Sequence, residues 1–230
     1  TIEEQTKMLA DTKRETSGIP ILGAAVGITG DYFERIQSLA QYKVDVICLD
    51  VAHGHHTMME RALKRIKDKW GEQIHIMAGN VATLEGFNAL ADWGADSVRC
   101  GIGGGSICST RIQTGHGVPT LQTIVDISCS DRDALIVADG GIKNSGDIVK
   151  ALAAGADLVM VGSLLAGTDQ TPTEKVKVDG KIYKTYRGMA SKEAQTEWRG
   201  KVSSIEGVSS MVPYKGDVKN ILGELKVGLR

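Results

Sequence analysis

Six short apolar runs punctuate the first two thirds of this chain, at 21–27, 44–50, 74–80, 97–101, 134–140 and 158–163. Each is rich in Val, Ile and Ala and apolar on both faces, the pattern of a parallel strand covered by helices on either side. Between them lie helical periodicities at 32–42, 57–70, 84–93, 121–128 and 145–154. Repeated strand and helix of this kind predicts an α/β fold. Polar or glycine residues close nearly every run: Asp50, Asn80, Gly101, Asp139 with Gly140 and Gly141, and Gly162 with Ser163. A TIM barrel gathers its site at the carboxyl ends of all its strands, whereas an open doubly wound sheet does so only near a switch point. The distribution therefore favours a TIM (β/α)8 barrel occupying residues 1–230 as one catalytic domain. Six runs fall short of the eight strands that close such a barrel. The chain opens on a polar helical stretch, 2–16, so the expectation is a barrel lacking its N-terminal strands in this chain, with an open fold as the alternative.

After Gly167 the period changes. Residues 174–178, Asp179-Gly180 and 181–186 read as a β-hairpin around an Asp-Gly turn. The polar stretch 191–210 reads either as a surface loop or as a flap over the site, so hairpin and flap together span about 172–215.

Composition excludes several classes. With 27 Lys and Arg against 28 Asp and Glu the net charge is −1, which offers no footprint for nucleic acid or an anionic membrane. Aromatic residues make up 4%, too few for a base-stacking platform. No apolar run reaches the roughly 20 residues of a membrane span. Four cysteines (48, 100, 108 and 129) show neither zinc nor disulfide spacing, so a cytoplasmic protein is expected. Cys48 and Cys100, inside strand runs, are expected to be buried and inert.

Chemistry is suggested most strongly by Gly101-Ile-Gly-Gly-Gly-Ser-Ile-Cys108-Ser-Thr110-Arg111. Glycines free main-chain amides and carbonyls to face an ion, and a cysteine placed there can act as a nucleophile beside the Thr110 hydroxyl. A tight turn with a buried cysteine remains the competing reading. Asp139-Gly140-Gly141 suits ribose and phosphate, or the capping of the following helix; Gly162-Ser163 suits a phosphate. His53, His55 and His56 near Asp50 read as a helix start rather than a metal cluster, because no metal-ligand spacing relates them.

Taken together, the Gly101–Arg111 stretch, Ala138-Asp139-Gly140-Gly141, Met160-Val161-Gly162-Ser163 and Tyr186-Arg187-Gly188-Met189 resemble the IMP dehydrogenase and GMP reductase family. Asp50-Val51-Ala52-His53-Gly54 and Gly79-Asn80-Val81-Ala82-Thr83 fit the same pattern, in order, over nearly the whole chain. The resemblance implies a TIM barrel, usually a homotetramer, acting on a purine mononucleotide. It implies that Cys108 attacks purine C2, that Thr110 assists by proton transfer or leaving-group contact and that Glu206 meets the ring near N1. Ser106, Gly141, Gly162, Ser163 and Tyr186 would hold the 5′-phosphate. Asp139 would take the ribose hydroxyls, Gly140 would belong to the same substrate site, and Gly188 and Met189 would contact the base. Asp50, Ala52, Asn80 and Gly101 would line the nicotinamide site, and carbonyls of Gly103, Gly105 and Cys108 would bind a monovalent cation such as K+.

Dehydrogenases of this family carry an Arg-Tyr pair on a long flap to activate water. Here Trp198-Arg199-Gly200 occupies that segment, with no tyrosine between Tyr186 and Glu206. Residues 47–52 and 76–80 also look like reductases, while 186–189 and 212–216 look equally like bacterial dehydrogenases. The implied activity is GMP reductase with NADPH; IMP dehydrogenase with NAD is the alternative. A non-catalytic nucleotide-binding subunit is the alternative from another class.

Overall fold

A computed structural model describes residues 1–15, 21–199, 205 and 207–230. They form two compact units, the first comprising Thr1–Cys100 with Asp126–Val137, the second Gly101–Val125 with Ala138–Arg230.

The first unit is built by the strand and helix repeat. It runs α1 (Ile2–Glu15), β1 (Gly23–Val26), α2 (Tyr32–Gln41), β2 (Val46–Asp50), α3 (Thr57–Trp70), β3 (His75–Val81), α4 (Leu84–Asp92) and β4 (Ser97–Cys100). β1, β2, β3 and β4 pair parallel in chain order, with Val46 opposite Gly23 and His75 opposite Val46. Such strands need apolar side chains on both faces, which is why Ile47, Leu49, Ile76, Ala78 and Val98 are all fully buried. The helices cover them with stripes of helical period: Met59, Ala62, Leu63, Ile66 and Trp70 form the buried face of α3. Local chemistry sets where the helices start. The His56 imidazole accepts from Met58 N–H at 3.1 Å, and the Thr83 hydroxyl accepts from Gly86 N–H at 3.1 Å. His56 is thus a helix cap, as expected of that histidine cluster.

The second unit holds the glycine loop, α5 (Thr110–Thr114), most of α6 (Thr120–Ile127), the end of β5 (Leu135–Asp139), α7 (Ser145–Ala153) and β6 (Leu158–Met160). The six strands β1–β6 are hydrogen-bonded in chain order. Asn144 caps α7, its side-chain oxygen accepting from Asp147 N–H at 2.9 Å, so Asp139 is left out of the capping role. β6 ends at Met160, earlier than the apolar pattern suggests, because Gly162–Gly167 folds into a turn instead of continuing the strand.

The hairpin is present as β7 (Lys175–Val178) and β8 (Lys181–Arg187), paired antiparallel around Asp179 and Gly180. Both turn residues have positive φ, +48° and +79°, as a two-residue hairpin turn demands. The stretch 191–210, expected as a loop or flap, contains α8 (Lys192–Arg199), and its end opens β9 (Ser209–Pro213) as a third strand against β8. Ser191, Ala194 and Gln195 are buried, which the low apolar content concealed. α9 (Val218–Gly228) closes the chain, its start capped by Asp217. No helix among the described residues is long and apolar enough to cross a membrane.

Candidate active site

Two backbone segments meet where β4 and β5 end. Gly101 has φ +138°, and a Cβ placed on it would sit 2.3 Å from the Asp139 carbonyl oxygen. Gly140 has φ +95°, and its Cβ would fall 2.9 Å from the carbonyl carbon of Gly104. No side chain fits at either position, so these glycines bring main chain against main chain and place Asp139 beside the glycine loop. The Thr120 hydroxyl, at the start of α6, donates to the Asp139 carbonyl at 3.4 Å.

Cys108 sits in a turn closed by its own N–H donating to the Gly105 carbonyl at 3.1 Å. Its thiol donates to the Thr110 hydroxyl at 3.2 Å. The sulfur is half-buried and α5 starts two residues later, so the loop presents the thiol with a hydroxyl at hydrogen-bond distance. That is the geometry of a nucleophile with a proton partner.

The loop does not stand alone. Cys108 forms an antiparallel bridge with Gly207, and the Ile107 carbonyl accepts from Val208 N–H at 3.0 Å. Val208 in turn offers its carbonyl to Gly188 N–H at 3.4 Å. Residues 207–208 therefore stitch the end of β8 to the cysteine loop and bring Gly188 close to Cys108. Met189 is 63% exposed beside this junction. Ser106 is also exposed. Glu206 lies outside the described residues. Farther along β8, Tyr186 faces the turn after β6: a Cβ on Gly162 would lie 3.1 Å from the Tyr186 hydroxyl oxygen.

The remaining expected residues gather in the first unit. The backbones of β2 and β3 are laced at their carboxyl ends, with Val51 N–H donating to Gly79 and Asn80 N–H donating to Val51, both at 3.2 Å. Asp50, Ala52 and Asn80 thus share one end of the sheet. Arg99 on β4, a residue the sequence patterns did not single out, donates to the Asp50 carboxylate at 2.7 Å and to the Cys48 sulfur at 3.3 Å. Cys48 is consequently half-buried, not the fully enclosed residue its strand position suggested, because an arginine shares its face of the sheet. The signal that could have found Arg99 is a guanidinium in the middle of an otherwise apolar parallel strand. Asp50 keeps 40% of its side chain exposed, so a ligand can still reach it.

Among the described residues no group of three or more His, Cys, Asp or Glu could hold a metal ion. The carbonyls of Gly103, Gly105 and Cys108 are neutral oxygens on one loop, a donor type suited to a hard monovalent cation.

A family model described as the IMP dehydrogenase / GMP reductase domain matches residues 1–230. The inosine-5′-monophosphate dehydrogenase of Nitrosopumilus maritimus is 42% identical, covering 96% of this chain and 49% of that protein. The enzyme of the same name from Bacillus subtilis is 43% identical, covering 100% of this chain and 49% of its own. Among solved structures, a cysteine-to-alanine variant of GMP reductase from Trypanosoma brucei bound to guanosine 5′-monophosphate matches with a TM-score of 0.87. It is 40% identical, and the match covers 94% of this chain and 46% of that one. The chain spans about half the length of the curated relatives it matches. The fold expectation holds: an α/β fold of the TIM-barrel class, with six of its strands in this chain.

Proposed function

The chain belongs to the IMP dehydrogenase / GMP reductase family, and from that footing we propose that its protein is an NAD(P)-dependent purine nucleotide oxidoreductase, specifically a GMP reductase. The observation that carries the reading is the Cys108 thiol held 3.2 Å from Thr110 on a loop pressed against Asp139. Binding alone needs no nucleophile, so this pair argues against a catalytically silent subunit. The substrate is GMP, with its 5′-phosphate taken by Ser106, Gly141, Gly162, Ser163 and Tyr186. Asp139 and Gly140 meet the ribose, and Gly188 and Met189 meet the base.

Cys108 sulfur forms a bond to purine C2, and the C2–N bond to the exocyclic amine breaks with release of ammonia. Thr110, already accepting the thiol hydrogen, is placed to pass a proton to the leaving nitrogen. Glu206, by the family resemblance, balances the proton at purine N1. When bound, NADPH supplies the hydride that C2 accepts as the sulfur departs, giving IMP and NADP. The residues at the ends of β2 and β3 suit a nicotinamide: Asp50, which accepts from Arg99, and Asn80 offer polar groups and Ala52 is small, while Gly101 joins them by the family resemblance. A monovalent cation, K+ by preference, would be held by the carbonyls of Gly103, Gly105 and Cys108 and would stiffen the loop. A cytoplasmic homotetramer completes the reading.

The reductase is favoured over IMP dehydrogenase by the segment between Gly188 and Glu206. Where dehydrogenases of the family keep the Arg-Tyr pair that activates water, residues Lys192–Arg199 form helix α8 with Ala194 and Gln195 buried. The second reading, oxidation of IMP with NAD, is favoured by the names of the 42–43% identical relatives. Absorbance at 340 nm decides between them. It should fall with GMP and NADPH, stay constant with IMP and NAD, and be unchanged in both with Cys108→Ala. A rise with IMP and NAD makes the protein a dehydrogenase. Silence in both from folded protein returns the non-catalytic subunit.

A further inference from the structure

Two lysines of the second unit use their ammonium groups on main-chain carbonyls. Lys184, 3% exposed, donates to the carbonyls of Thr168 at 2.9 Å and Thr171 at 2.6 Å. Lys215 donates to the carbonyls of Ser163 at 2.9 Å and Leu164 at 3.0 Å. Lys215 also donates its backbone N–H to Gly167 at 2.9 Å. One residue thereby holds three carbonyls of the turn that follows β6. The approach is built into the chain, because Gly167 has φ +89° and its Cβ would fall 2.4 Å from the Pro213 carbonyl oxygen. Only a glycine there lets the end of β9 come close enough to deliver Lys215.

Lys215 stays exposed, and the partial desolvation of its ammonium lowers its pKa from the ordinary lysine value. The turn itself is short: Leu165 and Ala166 N–H donate to the Gly162 carbonyl at 3.0 and 3.3 Å. The Ser163 and Leu164 carbonyls need another donor, and the ammonium supplies it. A trans peptide is planar, with its C=O and N–H pointing in opposite directions. Gripping the Ser163 carbonyl therefore aims the Leu164 N–H away from the lysine and fixes the plane of the peptide between Ser163 and Leu164.

We infer that Lys215 is a positioning residue for the nucleotide 5′-phosphate, acting through the Ser163–Leu164 main chain rather than touching the ligand. This rests on the reading of Gly162, Ser163 and Tyr186 as phosphate holders. A lysine with only a structural role would affect nucleotide and nucleoside binding alike. A positioning lysine affects only the ligand that carries the phosphate.

Calorimetric titration of GMP and of guanosine into the wild-type protein, Lys215→Met and Lys215→Arg separates these roles. Lys215→Met should weaken GMP about tenfold, the effect of losing a charge-assisted hydrogen-bonded contact, and leave guanosine within about twofold. Lys215→Arg, which can still donate to two carbonyls, should recover much of the loss. Unchanged GMP affinity in folded Lys215→Met, or equal weakening of both ligands, overturns the inference. If Lys215→Met does not fold, Lys215→Gln against Lys215→Arg carries the same comparison. A wild-type protein that binds guanosine as tightly as GMP overturns the phosphate reading itself, and that result is read without any variant.

Discussion

The two units of this chain solve the same problem, the burial of apolar strands, by different means. The first repeats one module, a two-faced apolar strand followed by a capped amphipathic helix, and its interior is mainly Ile, Leu, Val and Ala, with Met59, Phe87 and Trp70. The second keeps from that repeat only most of α6, the end of β5, α7 and the short β6. It fills the rest with glycine-directed backbone contacts, an antiparallel sheet and lysines bonded to carbonyls. Nearly all the expected site residues fall in it, apart from Asp50, Ala52 and Asn80. Regular repeats satisfy their own backbone and leave little for a ligand. Irregular backbone keeps amides and carbonyls available, and chemistry collects there.

This contrast can be broken most severely at Gly101. Gly101→Ala would force a Cβ to within 2.3 Å of the Asp139 carbonyl at a positive φ. We expect a loss on the order of 3–5 kcal/mol and abolished turnover, read by chemical denaturation and by the 340 nm assay. Wild-type stability would mean that the β4 and β5 loops can separate without consequence. In the first unit, Leu63→Ala removes a fully buried face of α3. A loss of about 3 kcal/mol is expected, with turnover per folded molecule unchanged. A selective fall in turnover would show that the repeat does more than scaffold.

The smallest effect concerns Asp169, which accepts from Lys175 at 2.8 Å and from the Tyr214 hydroxyl at 2.9 Å. The Lys175 hydrogen bond, with that of Tyr214, holds its carboxyl below the usual carboxylate range. Its ionised form is therefore favoured by folding. That contribution is complete above the ordinary carboxylate pKa and disappears as pH falls through the depressed value. Wild-type should exceed Asp169→Asn slightly in melting temperature at neutral pH, the gap closing in acid. A gap that widened in acid would reverse the assigned cause.

Much of the first unit was legible beforehand because its code is local. The helical pattern 57–70 coincides with α3, and His56 caps that helix as a helix-start residue should. Strand ends shifted by one to three residues, the most at β6, where the turn from Gly162 overrode an apolar pattern. The stretch 191–210 was illegible as structure. α8 buries Ala194 and Gln195, one small and one polar, too little to give an apolar helical period.

What the sequence determined by itself is the set of local instructions: the strand and helix repeat, the Asp-Gly hairpin, the glycine loop with Cys108 and Thr110, and the family motifs. These depend on side-chain period and on backbone freedom, both properties of neighbouring residues. Only the tertiary structure decided which distant groups meet. Arg99 reaches Asp50 across 49 residues, Tyr186 faces Gly162, and Lys215 holds Ser163 across 52. Those contacts arise from sheet register and from chain segments approaching closely at single glycines. No local pattern encodes either one.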